Sequence, residues 1–132
     1  MVLKAGDAIG SYEIVSQIGA GGMAMVYKAY QPKLDRFVAI KMMHESFSQD
    51  ENFMARFERE ARIVARLDYP HIVPVYDYDN YENQPYLVMK IVEGQTLKQQ
   101  MRNNPPSIDE LLIILDKIGK ALHYAHEAGV LH

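Results

Sequence analysis

Apolar and polar positions change their spacing several times along the chain, and each change predicts an element. Residues 12–18, YEIVSQI, alternate, which predicts a strand. Residues 23–30, MAMVYKAY, and 37–43, FVAIKMM, predict two more. QPKLDR at 31–36 lies between these two strands, with Pro32 and Asp35 as turn formers. The spacing then lengthens to that of a helix, with Phe53, Phe57, Ala61, Val64 and Leu67 on one face. Ser48 and Glu51 ahead of it form a capping-box pattern. Tyr69-Pro70 ends the helix, because a residue before proline is pushed out of the α region. Residues 71–80 and 85–92 predict two further strands around a polar turn. The first 92 residues therefore describe a five-stranded sheet carrying one helix, an α+β arrangement.

After Gly94 the character changes. Residues 96–104 predict a short polar helix, and Pro105-Pro106 break it. Ser107 and Glu110 form a second capping-box pattern, opening a long helix over 108–128 with Gly129 at its C-terminal end. Leu111 to Leu115 are consecutive aliphatics, and Ile108, Ile118, Ala121, Leu122 and Ala125 add to them. A helix apolar nearly all round is expected to be buried on every side. Little chain follows it, so it is expected either to pack against another molecule or to belong to a domain interrupted at this point.

Composition alters this picture little. The length of 132 residues suits one domain with a modest core. A net charge of -3 shows no general nucleic-acid footprint. There is no cysteine, which excludes disulfides and thiolate metal sites and agrees with an expected cytoplasmic setting. The N-terminus lacks the apolar core of a signal peptide, and no run approaches the roughly 18 apolar residues of a membrane span.

Candidate chemistry begins at IGAGGMAMV, residues 18–26. Glycine inside a strand pattern costs backbone entropy and packing. Gly19, Gly21 and Gly22 therefore mark either an ordinary flexible turn or a backbone that must approach something closely. Two phosphate-binding designs do not fit. No G-K-[S/T] triplet occurs, and the glycines lead into the strand-like MVYKAY rather than into a helix. A glycine-rich hairpin with its amides over phosphates remains.

Alternation in 37–43 places Val38, Ile40 and Met42 on one face and Phe37, Ala39 and Lys41 on the other. A mid-strand lysine commonly points to solvent, but this one lies on a strand next to the glycine hairpin. An inward lysine needs a partner. Glu60 lies at the edge of the apolar stripe of the 53–67 helix, whereas Glu58 lies away from it. The pattern favours a Lys41–Glu60 pair, with a Glu60–Arg56 pair as the alternative.

Taken together these segments resemble the protein kinase family, in particular the small N-terminal lobe of bacterial, eukaryotic-like serine/threonine protein kinases. The matching stretches are IGAGGMAMV (18–26), VAIK (38–41), FEREARIVARLDYPHIVPVYD (57–77), PYLVMKIVEGQTL (85–97) and ALHYAHEAGVLH (121–132). The resemblance implies a kinase-like small lobe over 12–93, a five-stranded antiparallel sheet plus the family's αC helix, after an N-terminal segment 1–11. Residues 94–132 would be the hinge exit and the first helices of an incomplete large lobe. It implies ATP as cofactor, with Lys41 on its α- and β-phosphates and Glu60 holding Lys41. The amides of Gly19, Ala20, Gly21, Gly22, Met23 and Ala24 would cover the phosphates. Ile18, Val26 and Ala39 would roof the adenine, Met89 would be the gatekeeper, and the backbone of Lys90 and Val92 would bind the adenine edge.

His132 matches the histidine that opens the family's H-R-D motif. The catalytic Asp, its downstream Asn and the D-F-G Asp are not among these residues, and with them the Mg²⁺ ligands. The expectation is an ATP-binding part of an enzyme that phosphorylates protein Ser or Thr, inactive by itself. The alternative is a non-catalytic nucleotide-binding or partner-binding module. Two departures stand out: Ala24 replaces the family's third loop glycine, and Lys90 occupies a hinge position where an acidic residue is common. His123 and His126 have a spacing that can bind zinc, but no third ligand is evident.

Overall fold

A computed structural model describes residues 2–131, so His132 and the catalytic-loop reading placed on it lie outside the described residues. The strands are β1 Ala8–Ile9, β2 Tyr12–Ala20, β3 Ala24–Gln31, β4 Arg36–Met43, β5 Val75–Tyr81 and β6 Gln84–Lys90. The helices are α1 Glu45–Ser48, α2 Glu51–Val64, α3 Leu97–Asn103 and α4 Ile108–Glu127. One antiparallel sheet has the order β1-β2-β3-β4-β6-β5. It has six strands rather than the expected five, because Ala8 and Ile9 of the N-terminal segment pair with Glu13 and Tyr12. A two-residue strand is too short to show a period in sequence.

The alternation forecast for 37–43 is the basis of the core. Val38, Ile40 and Met42 are buried at 0–1% exposure, together with Met25, Tyr27 and Ala29 of β3 and Tyr86 and Val88 of β6. Leu3 and Ile9 close this layer from the N-terminal segment, where the Leu3 N–H donates to the Tyr27 hydroxyl at 3.2 Å. Leu3 and Ile9 are thus part of the sheet's core, while the residues around them are exposed.

Helix α2 starts later than the Ser48–Glu51 pattern suggests. Asp50 is its N-cap, with its carboxylate accepting from the Asn52 and Phe53 amides at 3.0 and 3.2 Å. Ser48 instead ends the short α1, its hydroxyl donating to the Glu45 carbonyl. A carboxylate that accepts from two amides at the positive end of a helix outcompetes a hydroxyl. An aromatic row carries α2 onto the sheet: Phe47, Phe53, Phe57 and Tyr78 follow one another at centroid separations of 5.1, 6.1 and 5.9 Å.

Thr96 and Gln99 form a reciprocal capping box at the start of α3. Ser107 caps α4 by accepting from the Glu110 amide. α4 touches the lobe through Tyr124, whose ring stacks on Tyr69 at 5.0 Å and whose hydroxyl accepts from the Asp68 N–H at 3.1 Å. Ala121 and Ala125 are buried, but Ile108, Leu112, Ile113, Leu115 and Ile118 are exposed. The expectation of burial on every side of this helix is therefore not met within residues 2–131. The aliphatic run surrounds the helix, whereas its contact with the lobe covers one side.

Candidate nucleotide site

The sheet brings the candidate residues into adjacent rows. Gly19 lies opposite Val26, Val26 opposite Lys41, and Lys41 opposite Leu87. One step along, Ala39 lies opposite Lys28 and Met89. Directly opposed residues in antiparallel strands share a face. Val26, Ala39, Lys41 and Met89 therefore occupy the face turned away from the core. Ala39 is buried and Lys41 is exposed. Ile18 falls in the irregular stretch of β2 between Gln17 and Gly19 and is half exposed.

Lys41 and Glu60 line one cavity of about 380 Å³, with Met23, Met43, Phe53, Arg56 and Phe57 completing its wall. The glycine hairpin reaches this cavity through Met23. Its carboxylate and its two cations do not close an ion pair. Among the described residues the ion pairs are Arg62–Glu58 at 2.7 Å, Lys120–Asp116 at 2.9 Å and His123–Glu127 at 3.8 Å. Both sequence alternatives for Glu60, Lys41 and Arg56, thus face the same space at more than ion-pair distance. Glu58, expected to be solvated, is instead half-buried and bound to Arg62 one turn on, whereas Glu60 is exposed.

The hairpin bend has an unusual closure. The Gly21 N–H donates to the Ala24 carbonyl at 2.9 Å, but no bond from the Ala24 N–H to the Gly21 carbonyl completes the pair. That carbonyl instead lies 2.9 Å from His44 Nε2. The His44 N–H donates to the Met23 carbonyl at 3.0 Å. The Gly22 and Met23 amides donate to nothing among the described residues. Neither conformation nor packing inside the chain requires these glycines. The positive-φ glycines are Gly6, Gly10, Gly94 and Gly129. A Cβ on Gly22 would meet nothing within 4 Å, and one on Gly21 only the Ala24 carbonyl at 3.8 Å. One on Gly19 would make an ordinary 3.5 Å contact with Val26. The result is a bend with no side chain at Gly21 or Gly22 and with the Gly22 and Met23 amides unused among the described residues.

The expected adenine-edge residues lie elsewhere on the surface. Lys90 and Val92 line a cavity of about 450 Å³ with Ile91, Glu93 and residues 70–74. The Lys90 N–H is already used, on the Pro74 carbonyl at 3.0 Å, so a backbone contact from Lys90 falls to its own carbonyl. Among the described residues no three His, Asp or Glu side chains are gathered as metal ligands. No helix there is long and apolar enough to cross a membrane.

Sequence reasoning missed Arg56, Phe53 and Phe57 as cavity wall and His44 as a neighbour of the bend. The aromatic pair had a legible signal, since Phe53, Phe57 and Glu60 follow helical spacing. His44 had none, because its partner is 23 residues away.

Comparison with known proteins bears on what this arrangement serves. The protein kinase domain family matches residues 12–132. The chain is 43% identical over 123 residues to the probable serine/threonine-protein kinase PknB of Lactococcus lactis, covering 92% of this chain and 20% of that protein. It is 42% identical over 124 residues to the serine/threonine-protein kinase PrkC of Bacillus subtilis, covering 93% and 19%. The chain thus spans about a fifth of the length of these curated relatives. Among solved structures, the PknI kinase domain of Mycobacterium tuberculosis superposes with a TM-score of 0.87 at 32% identity, covering 99% of this chain and 53% of that one. The apo form of PpkA gives 0.81 at 29% identity, covering 99% and 54%.

Proposed function

The chain belongs to the protein kinase domain family, and from that premise we propose that its residues hold ATP for a protein serine/threonine kinase. The observation that carries the reading is the shared cavity of Met23, Lys41 and Glu60, which joins the glycine bend, the strand lysine and the helix carboxylate. Lys41 supplies the charge for the α- and β-phosphates, a charge-assisted contact stronger than a neutral hydrogen bond. Glu60 crosses the cavity to orient Lys41 once nucleotide is bound. The free amides of the bend cover the phosphates as neutral donors, which leaves net attraction to the lysine. Residues Gly19 to Ala24 form that cover. Val26, Ala39 and Ile18 meet the adenine face, Met89 limits its depth, and the Lys90 carbonyl and Val92 backbone meet its edge.

The other parts of phosphoryl transfer are separable from these. The base that takes the hydroxyl proton and the carboxylates that hold magnesium have no matching residues in this sequence: no D-F-G occurs in it. We assign these 132 residues nucleotide binding without phosphate transfer of their own. The protein Ser or Thr substrate, magnesium and a cytoplasmic setting belong to the activity as a whole.

Titration calorimetry with MgATP tests the assignment. Wild-type chain is expected to bind, and Lys41→Met to bind roughly ten- to a hundredfold more weakly, the range for losing a hydrogen bond to a charged group. Equal affinities in the two would remove Lys41 from the site.

A further inference from the structure

We propose that His44 is a positioning residue of the nucleotide site, fixing the Gly21–Gly22 peptide so that the bend presents its amides outward; the proposal rests on the nucleotide reading above. His44 sits between the end of β4 at Met43 and the start of α1 at Glu45. It occupies the N-cap position of α1, with φ -62° and ψ 148°, yet its side chain makes no capping bond. Three of its four polar atoms are committed by other contacts. Its N–H holds the Met23 carbonyl at 3.0 Å, its carbonyl accepts from Phe47 at 3.1 Å, and its ring reaches the Gly21 carbonyl at 2.9 Å.

A carbonyl can only accept, so His44 Nε2 must carry the proton. That holds for the Nε2–H neutral tautomer and for the imidazolium alike, so the contact does not depend on charge. The peptide it grips has glycine on both sides, and glycine restricts φ and ψ least. It is the peptide plane in the bend with the least resistance of its own to rotation. In a trans peptide the C=O and the following N–H point in opposite directions, and the described residues contain no cis peptide. Holding the Gly21 carbonyl toward the ring therefore turns the Gly22 N–H away from His44. By the same geometry, holding the Met23 carbonyl turns the Ala24 N–H away. A hairpin closed in the ordinary manner would spend the Gly21 carbonyl on the Ala24 N–H. Here the histidine takes over that acceptor.

The test uses the 132-residue chain as wild type, His44→Ala and His44→Gln, glutamine keeping an N–H donor at similar reach. Nitrogen-resolved NMR of the wild-type imidazole is expected to show Nε2 protonated, and the nitrogen-15 order parameter of the Gly22 amide is expected to fall in His44→Ala and recover in His44→Gln. MgATP affinity is expected to drop about three- to tenfold in His44→Ala, the range of one exposed hydrogen bond, and to return in His44→Gln. The unfolding midpoint should move little, because the bond lies at an exposed tip. A neutral ring protonated on Nδ1, or an unchanged Gly22 order parameter in His44→Ala, would overturn the proposal. So would an affinity loss that glutamine does not rescue. Absence of ATP binding in all three chains would instead overturn the nucleotide reading, and the spectroscopic arm would still decide whether His44 holds the bend.

Discussion

The sheet and the last helix contain equally apolar stretches and treat them in opposite ways. In FVAIKMM of β4 every residue but Phe37 and Lys41 is buried, with Val38 and Ile40 at 0% exposure. In LLIIL of α4 the aliphatics stay in the open, with Leu112 at 60% and Ile113 at 57%. The sheet is self-sufficient because alternation sends Val38, Ile40 and Met42 to one face, where β2, β3, β6 and the N-terminal segment supply the cover. α4 spreads its aliphatics around a cylinder and meets the lobe along Ala121, Tyr124 and Ala125. A hydrophobic run reports that a segment needs cover. It does not report that the cover lies in the same stretch of chain.

The comparison breaks most visibly under truncation. Ile40→Ala removes buried methylenes from a closed layer and is expected to destabilise the chain by about 2–5 kcal/mol. Ile113→Ala, at an exposed position, is expected to change stability by under about 0.5 kcal/mol. Urea denaturation of both variants measures the contrast. Comparable losses would mean that α4 is covered in solution, for instance by self-association of its aliphatic face, which sedimentation would detect as a concentration-dependent mass.

The same contrast explains what was legible in the sequence. The alternation of Val38, Ile40 and Met42 predicts both a strand and its buried face, because a strand with one covered face has only one acceptable register. Lys41 on the opposite face follows from the same period. The relation between Lys41 and Glu60 does not, since it depends on the angle and distance at which α2 lies on the sheet. That placement depends on the Phe47, Phe53, Phe57 and Tyr78 contacts. The strand and helix periods single out both residues and the resemblance to kinases gives them roles, and the structure adds that Arg56 shares their cavity without an ion pair being closed. The start of α2 was missed by two residues because Ser48 and Asp50 are both plausible caps by residue type. β1 and the His44–Gly21 contact escape for a common reason: each depends on tertiary proximity rather than on a periodic signal.

A smaller effect sharpens the comparison at the helix starts. Asp50→Ala deprives α2 of a carboxylate that accepts from two amides. Ser107→Ala deprives α4 of a single hydroxyl contact to the Glu110 amide. Loss of a cap costs typically about 1 kcal/mol. Asp50→Ala is expected to lower the cooperative unfolding midpoint, because α2 is tied to the sheet through its aromatic row. Ser107→Ala is expected to change helical circular dichroism with little change in that midpoint. A full midpoint shift from Ser107→Ala would show that α4 unfolds together with the sheet.

The smallest effect concerns pH and the sheet's own interior. Tyr86 lies in the core layer at 3% exposure, and burial, followed by the charges of Asp79 and Asp77, pushes its hydroxyl up to about 12. An unfolded tyrosine ionises near pH 10, so between about pH 10 and 12 the unfolded chain loses a proton that the folded chain keeps. Folding stability attributable to Tyr86 is therefore fully present below pH 10 and declines as pH rises toward 12. At about pH 10.5 the decline is still under about 1 kcal/mol. Tyr12 and Tyr78 are raised in the same direction, with burial again the leading cause, and deepen the alkaline loss. Urea midpoints taken from pH 8 to 11 are expected to fall in the wild type and to fall less steeply in Tyr86→Phe, which cannot ionise. Parallel slopes would mean that the Tyr86 hydroxyl reaches water, and that the layer beneath β4 and β6 is looser than its buried side chains imply.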